Sequence, residues 1–190
     1  GEKIIDTGEI VTAQTYQILE SLRRSIDEKN ISKRQTLTST IGAGLYIIIL
    51  LVIFALYLYT YRRKLLDELR HVLFFTILMA IIIALAFLVL HYAPLGYIYL
   101  VPFAWGPIIT RVFYDSRTAI FMHIITILVV SVAVPAPYVF VLLQLVGGVV
   151  AVISLRDMTQ RAQLAQTALF TFITYSVVYT ATTMLISGEV

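Results

Sequence analysis

The 190 residues contain no cysteine, which excludes disulfides, thiolate nucleophiles and cysteine-type zinc sites. Charge is also scarce: Asp, Glu, Lys and Arg make up 13% of the chain, against about 25% in soluble domains. Inside the long apolar runs there is no carboxylate at all; Asp67, Glu68, Asp115 and Asp157 fall between them. A proton- or cation-coupled carrier normally keeps a carboxylate within a span, so that class is disfavoured, although carriers of neutral solutes need none. Adjacent His-Asp pairs, HExxH, GxSxG, GxGxxG and the P-loop pattern are missing as well. The chain therefore carries no catalytic or metal-binding constellation. A basic face interleaved with base-stacking aromatics is likewise missing, which argues against nucleic acid as a partner.

What the chain has in excess is apolar surface. Hydrophobic residues make up 59% of it, and the mean hydropathy is +0.90. This is the composition of an integral membrane protein. Six apolar segments are expected as spanning helices, at about 40–61, 72–91, 97–114, 118–134, 138–155 and 164–187. Backbone groups in lipid must bond internally, and these runs are too long and too uniform for barrel strands. The first segment has 22 residues, roughly 33 Å of helix against a hydrocarbon core of about 30 Å. The fold class expected is all-α, a polytopic membrane helix bundle.

Residues 1–35 differ in kind, holding six of the fourteen basic and six of the eleven acidic residues. Val11, Thr15, Ile18, Leu22 and Ile26 form one apolar stripe, which predicts a helix over Thr12–Asp27 with Thr12 as N-cap. The preceding EKII ends a short strand on this reading, so a soluble α/β tail leads into the bundle of residues 36–190. The chain opens on Gly-Glu-Lys and closes just after an apolar run, the look of a piece cut from a longer protein.

The remaining eight basic residues occupy alternate loops. Arg62, Arg63, Lys64 and Arg70 lie between segments one and two. Arg111 and Arg117 flank the turn between three and four, and Arg156 and Arg161 that between five and six. The intervening YAPLG and PAP hairpins carry no Lys or Arg. By the positive-inside rule the basic loops are cytoplasmic and the N-terminal part lies outside.

The stretch RVFYDSRTAIFMH, Arg111 to His123, is then a cytoplasmic turn. Arg111 and Arg117 reach lipid phosphates by snorkelling, and Asp115 or Ser116 caps the next helix. Arg156, with Asp157 or Thr159, repeats this grammar before segment six. Topology and capping account for most of these charges. Arg62, Arg63, Lys64, Arg111, Asp115, Arg117, Arg156, Asp157 and Arg161 are the candidates for cytoplasmic coupling or lipid contact.

Two intramembrane polar residues stand out. His123 is either a neutral imidazole bonded to nearby backbone or Asp115, or a proton-sensitive or ligand-binding group, and the first reading is favoured. Gln144, with Gly147 and Gly148, marks close helix packing. The hydroxyl-rich sixth segment reads as helix-to-helix glue, Gly42 and Gly44 as packing positions in the first. Tyr57, Tyr59, Tyr61 and Tyr92 fit aromatic belts. Pro102 and Pro107 predict a bend in segment three, because Pro107 cannot donate to the Phe103 carbonyl.

The order GEIVTAQTYQILESL, a span ending in YRRK, VPFAWGPIITRVFYDSRTAIFMHIIT, and VPAPYVFVLLQLVGGVVAVISLRDMTQRAQL resembles the membrane part of bacterial seven-transmembrane receptors with an intracellular HD hydrolase domain. The resemblance covers essentially the whole chain and implies more than the residues do. Residues 1–35 would end an extracellular sensor domain. A seventh span and a cytoplasmic HD domain would follow, using divalent metal ions to hydrolyse cyclic di-AMP to linear pApA. This chain itself carries no cofactor. The implied partners are the lipid bilayer, the protein's own extracellular and HD domains, and a second copy in a homodimer. The implied location is the bacterial inner membrane, multi-pass. The rival reading is a six-span substrate-binding subunit of a vitamin-type transporter, which matches in length but not in its soluble leader.

Overall fold

The structure is a computed structural model, and it describes residues 13–155 and 162–187. Seven α-helices occur among these residues. They are α1 (Ala13–Tyr61), α2 (Arg63–Leu66), α3 (Leu69–Tyr92), α4 (Trp105–Phe113), α5 (Ser116–Ser131), α6 (Pro137–Ser154) and α7 (Ala162–Ser187), with a 3-10 helix at Leu95–Leu100. No strand is present among the described residues. The all-α class is what the long apolar runs require.

The chain divides into two units, Gly1–Tyr46 and Ile47–Val190. In the first, α1 starts at Ala13 and takes in the expected soluble helix. The expected strand at EKII and the Thr12 cap lie outside the described residues, and an α/β tail is not supported. Side chains on this part of α1, such as Leu37, Ile41 and Leu45, are exposed. Gly42 and Gly44 have nothing within 4 Å of the place a Cβ would take, so the packing role expected of them is not present within this unit.

Six full-length spanning helices were expected; the described residues contain four that are long and apolar enough, at Gln35–Tyr61, Leu69–Tyr92, Pro137–Ser154 and Ala165–Leu185. Two segments depart from the expectation. Segment four is the 16-residue helix α5, about 24 Å long at 1.5 Å per residue. Segment three is interrupted: the 3-10 helix stops at Leu100 and α4 restarts at Trp105. Pro107 thus occupies the first turn of α4, where no backbone donor is needed. The Phe103 carbonyl accepts instead from Gly106 N at 3.3 Å. The prolines make a break with a fresh helix start, where a bend in one helix was expected.

Helix α5 is the shared core of the second unit. Nine of its residues are buried, among them Ala119, Met122, Ile125, Ile127 and Val130. A helix that is apolar on every side is stable only when covered on every side. One side of α5 supplies Met122, Ile125 and Val129 to a cluster with Phe54, Leu58, Phe75 and Met79. The other supplies Ile127 and Val130 to a cluster with Ile82, Phe103, Val134 and Phe140. In the second cluster the Phe103 and Phe140 rings meet edge to face, centroids 5.2 Å apart, a favoured aromatic geometry. Helices α3 and α7 turn large apolar side chains outward, including Ile77, Ile81, Leu88, Phe172 and Val177. Such a surface is an aggregation hazard in water and an ordinary one in lipid.

Candidate functional site

Two polar clusters interrupt the apolar packing. The first joins the ends of four helices. Arg62, the residue after α1, places its guanidinium 2.7 Å from the Asp115 carboxylate. Asp115 is the N-cap of α5: it accepts from Thr118 N at 3.3 Å and from the Thr118 hydroxyl at 2.7 Å. The cap forms because Asp115 takes an extended conformation just before the helix, where a short acceptor reaches the free N–H groups of the first turn. Tyr57, one turn before the end of α1, brings its hydroxyl to within 3.3 Å of Thr118 Oγ1 and stacks on Phe121 at 4.3 Å.

The start of α3 joins the same junction. His71 Nδ1 lies 2.8 Å from the Tyr114 hydroxyl, and its Nε2 lies 3.5 Å from Glu68. Glu68 also pairs with Arg70. The loops after α1 and α4 therefore lie at one end of the unit, as the alternation of basic loops predicts. Burial pushes the Asp115 carboxyl up; hydrogen bonds from Thr118 and Arg62 outweigh it and hold the group below its ordinary value. The Asp115 hydrogen bond and charge raise the Arg62 guanidinium. Their side chains are 41% and 32% exposed, so the ion pair contributes at most about 1 kcal/mol to stability. Its interest lies in which elements it ties together.

The second cluster is buried between α5, α6 and α7. His123 on α5 is 2% exposed, and its Nε2 lies 2.9 Å from the Gln144 carbonyl on α6. A carbonyl only accepts, so Nε2 carries the proton. The Gln144 side chain turns the other way and takes the Tyr175 hydroxyl of α7 at 2.5 Å. Its amide nitrogen has no partner among the described residues. Two adjacent glycines make room for both rings. A Cβ at Gly148 would stand 1.8 Å from His123 Nε2, and one at Gly147 would stand 2.6 Å from Tyr175 Cζ. The arrangement bonds three helices to one another.

Among the described residues no three His, Cys, Asp or Glu side chains are grouped so as to hold a metal ion.

The residue patterns and this architecture meet in one comparison. The family described as 7TM receptor with intracellular HD hydrolase matches residues 37–190. The chain belongs to that family. No curated protein and no solved structure matches it. Membership of this receptor family replaces the vitamin-transporter reading.

In this receptor the predicted residues separate. Arg62 and Asp115 come together, with Arg63 and Lys64 beside them around one cavity. Arg111 is half-buried on α4, and Arg117 is exposed in the first turn of α5. Arg156, Asp157 and Arg161 lie outside the described residues. His123 and Gln144 meet, whereas Pro102 and Pro107 mark the break before and within α4. Tyr59, Tyr61 and Tyr92 are exposed at helix ends as belt residues are, but Tyr57 turns inward. Several hydroxyls of α7 bond along their own helix, Thr174 to the Phe170 carbonyl, Ser176 to Phe172 and Thr180 to Ser176. They bond their own helix's backbone where glue between helices was expected, and Tyr175 makes the crossing to α6.

Tyr57, His71, Tyr114, Thr118 and Tyr175 escaped the sequence reading as site residues. For Thr118 a signal existed: Asp115-x-x-Thr118 has the spacing of a reciprocal N-terminal cap. His71 stands beside Arg70 at the mouth of an apolar run. For Tyr175 no pattern separates it from the other hydroxyls of α7.

Proposed function

We propose that this chain is the signal-transducing membrane region of a receptor whose cytoplasmic HD domain hydrolyses cyclic di-AMP. On this reading the N-terminal part lies outside the bacterial inner membrane, and the basic loops face the cytoplasm. The interrupted third segment and α5 complete six crossings, a seventh follows, and the receptor works as a homodimer. The hydrolase and its divalent metal ions belong to a domain other than the residues of this chain.

The observation that carries the reading is the 2.7 Å contact between Arg62 and Asp115. Helix α1 leads from the sensor side, and Arg62 is its first residue beyond the span. Asp115 caps α5, the helix that both apolar clusters share. A shift of α1 along or about its axis reaches the covered core helix through this pair, and through Tyr57 and Thr118 beside it. The bundle then needs two packings to which the sensed ligand binds unequally, since coupling equals that difference in binding. Arg117, exposed next to the junction, and Arg63 and Lys64 on α2 present charge to whatever docks from the cytoplasm.

The test uses the full-length protein in membrane vesicles with divalent metal, following conversion of cyclic di-AMP to linear pApA. Arg62→Asp and Asp115→Arg, each alone, should change the rate about fivefold or more, and the swapped double variant, which restores the ion pair but not the cap, should recover part of the change. A full-length protein that leaves cyclic di-AMP intact sinks the substrate. Rates unmoved by either reversal remove the junction from the coupling path.

A further inference from the structure

Beside the junction lies a cavity of about 550 Å³, lined by Tyr61, Arg62, Arg63, Lys64, Tyr114 and Asp115 among others. Three consecutive cations face it against one carboxylate. That carboxylate is already engaged, its oxygens accepting from Arg62 and Thr118. Arg63 lies over the Tyr59 ring at 5.1 Å. Tyr59 and Tyr61 are 55% and 72% exposed, and exposed tyrosines at the end of a span mark headgroup depth. The cavity thus opens where lipid phosphates lie.

A second feature begins one residue further on. Leu65 lines the cationic cavity, and Leu66 lines an apolar groove of about 380 Å³ between α1 and α3. Leu51, Phe54 and Leu58 form one wall, and Phe75, Met79 and Ile83 the other. Thr76 is in the wall too, but its hydroxyl is spent on the Val72 carbonyl at 2.9 Å. The groove offers an acyl chain apolar contact with no polar group left to satisfy.

We propose that the cavity holds the phosphate of an anionic phospholipid, with one of its acyl chains in the groove between α1 and α3. Arg63 and Lys64 carry the recognition. A guanidinium matches two phosphate oxygens with paired donors, and an ammonium adds a compact charge. Arg62 remains committed to Asp115 and borders the site. Snorkelling alone would account for scattered cations at a helix end; it does not account for three of them lining one concavity that adjoins an acyl-sized groove. A basic cavity would also attract free phosphate, but the adjoining groove favours a lipid.

Lipid binding needs no attached hydrolase, so its test is separate from that of the proposed function. The chain, purified in detergent and stripped of lipid, is titrated with phosphatidylglycerol, with phosphatidylcholine of the same acyl chains, and with inorganic phosphate, and bound adducts are counted by native mass spectrometry. Phosphatidylglycerol should bind about tenfold or more tightly than phosphatidylcholine. The double substitution Arg63→Gln and Lys64→Gln should abolish that preference while keeping the unfolding temperature. Ala55→Phe, which fills the groove from α1, should weaken phosphatidylglycerol binding with the cations intact, and it decides the matter if the double variant does not fold. Equal affinity for the two lipids, or wild-type phosphatidylglycerol binding in both variants, overturns the proposal. Displacement of the lipid by millimolar inorganic phosphate does so as well, because it assigns the cavity to a free anion.

Discussion

Gly148 faces His123 so closely that a methyl group at position 148 would stand 1.8 Å from the imidazole Nε2. That same nitrogen bonds the Gln144 carbonyl at 2.9 Å. The α5–α6 contact is therefore set by the absence of one side chain.

Gly148→Ala should destabilise the bundle. Alanine gains about 1 kcal/mol of helix propensity over glycine, but overpacking a closed core costs about 1–3 kcal/mol. The displaced ring also loses its acceptor, and a buried donor without a partner costs about 1–3 kcal/mol more. The net sign is unfavourable, and a thermal unfolding midpoint in detergent below wild type checks it. A midpoint at or above wild type would show that His123 can leave its place freely.

Tyr175→Phe removes the bond across α6 and α7 but keeps the ring against Gly147. Interhelical hydrogen bonds in membrane proteins average about 0.6 kcal/mol, so its loss should be small and below that of Gly147→Ala, which drives a methyl into the same ring. Comparing the two unfolding midpoints orders the effects. The reverse order would mean that the hydroxyl, and not the glycine seat, holds α7 in place.

Asp115→Asn keeps the size of the cap and removes the charge that Arg62 meets. Asparagine caps as well as aspartate, so the loss should be that of the ion pair, at most about 1 kcal/mol. The pH dependence has a definite sign. The folded carboxyl titrates below its ordinary value of 3.8, so its contribution is complete above that value. It fades as pH falls through the lower, folded value. Wild type and variant should converge in stability under acid and differ at neutral pH. A gap that persists unchanged in acid would place the effect elsewhere.

Because the chain has no cysteine, single cysteines report orientation without background. Ala136 and Arg117 are both exposed, in an uncharged and a basic turn. In intact cells a membrane-impermeant maleimide should modify Ala136→Cys and should reach Arg117→Cys only after permeabilisation. The opposite pattern would invert the orientation, and the link to a cytoplasmic hydrolase would fail with it.

The helical class, the apolar runs and the shared end of the first two basic loops were legible in the chain. They depend on local facts: backbone satisfaction in lipid, hydropathy over about 20 residues, and the placement of Arg and Lys. The Asp115 cap was legible for the same reason, since a cap bonds within its own first turn. The break at Pro102 and Pro107 was visible only as a bend, because the restart at Trp105 depends on Phe103 and Gly106 finding seats. Phe103 packs on Phe140, and a Cβ on Gly106 would approach Ile82 to 2.6 Å.

Arg62 with Asp115, His71 with Tyr114 and His123 with Gln144 were beyond the sequence. Each pair joins different helices, 53, 43 and 21 positions apart. Hydropathy says that a helix is in the membrane and not which face it turns to a neighbour. Lipid is as apolar as leucine, so small residues and single polar contacts choose the partners. Amino-acid order determined that this chain crosses a bilayer and where its charges collect; packing around α5 decided which of those charges meet.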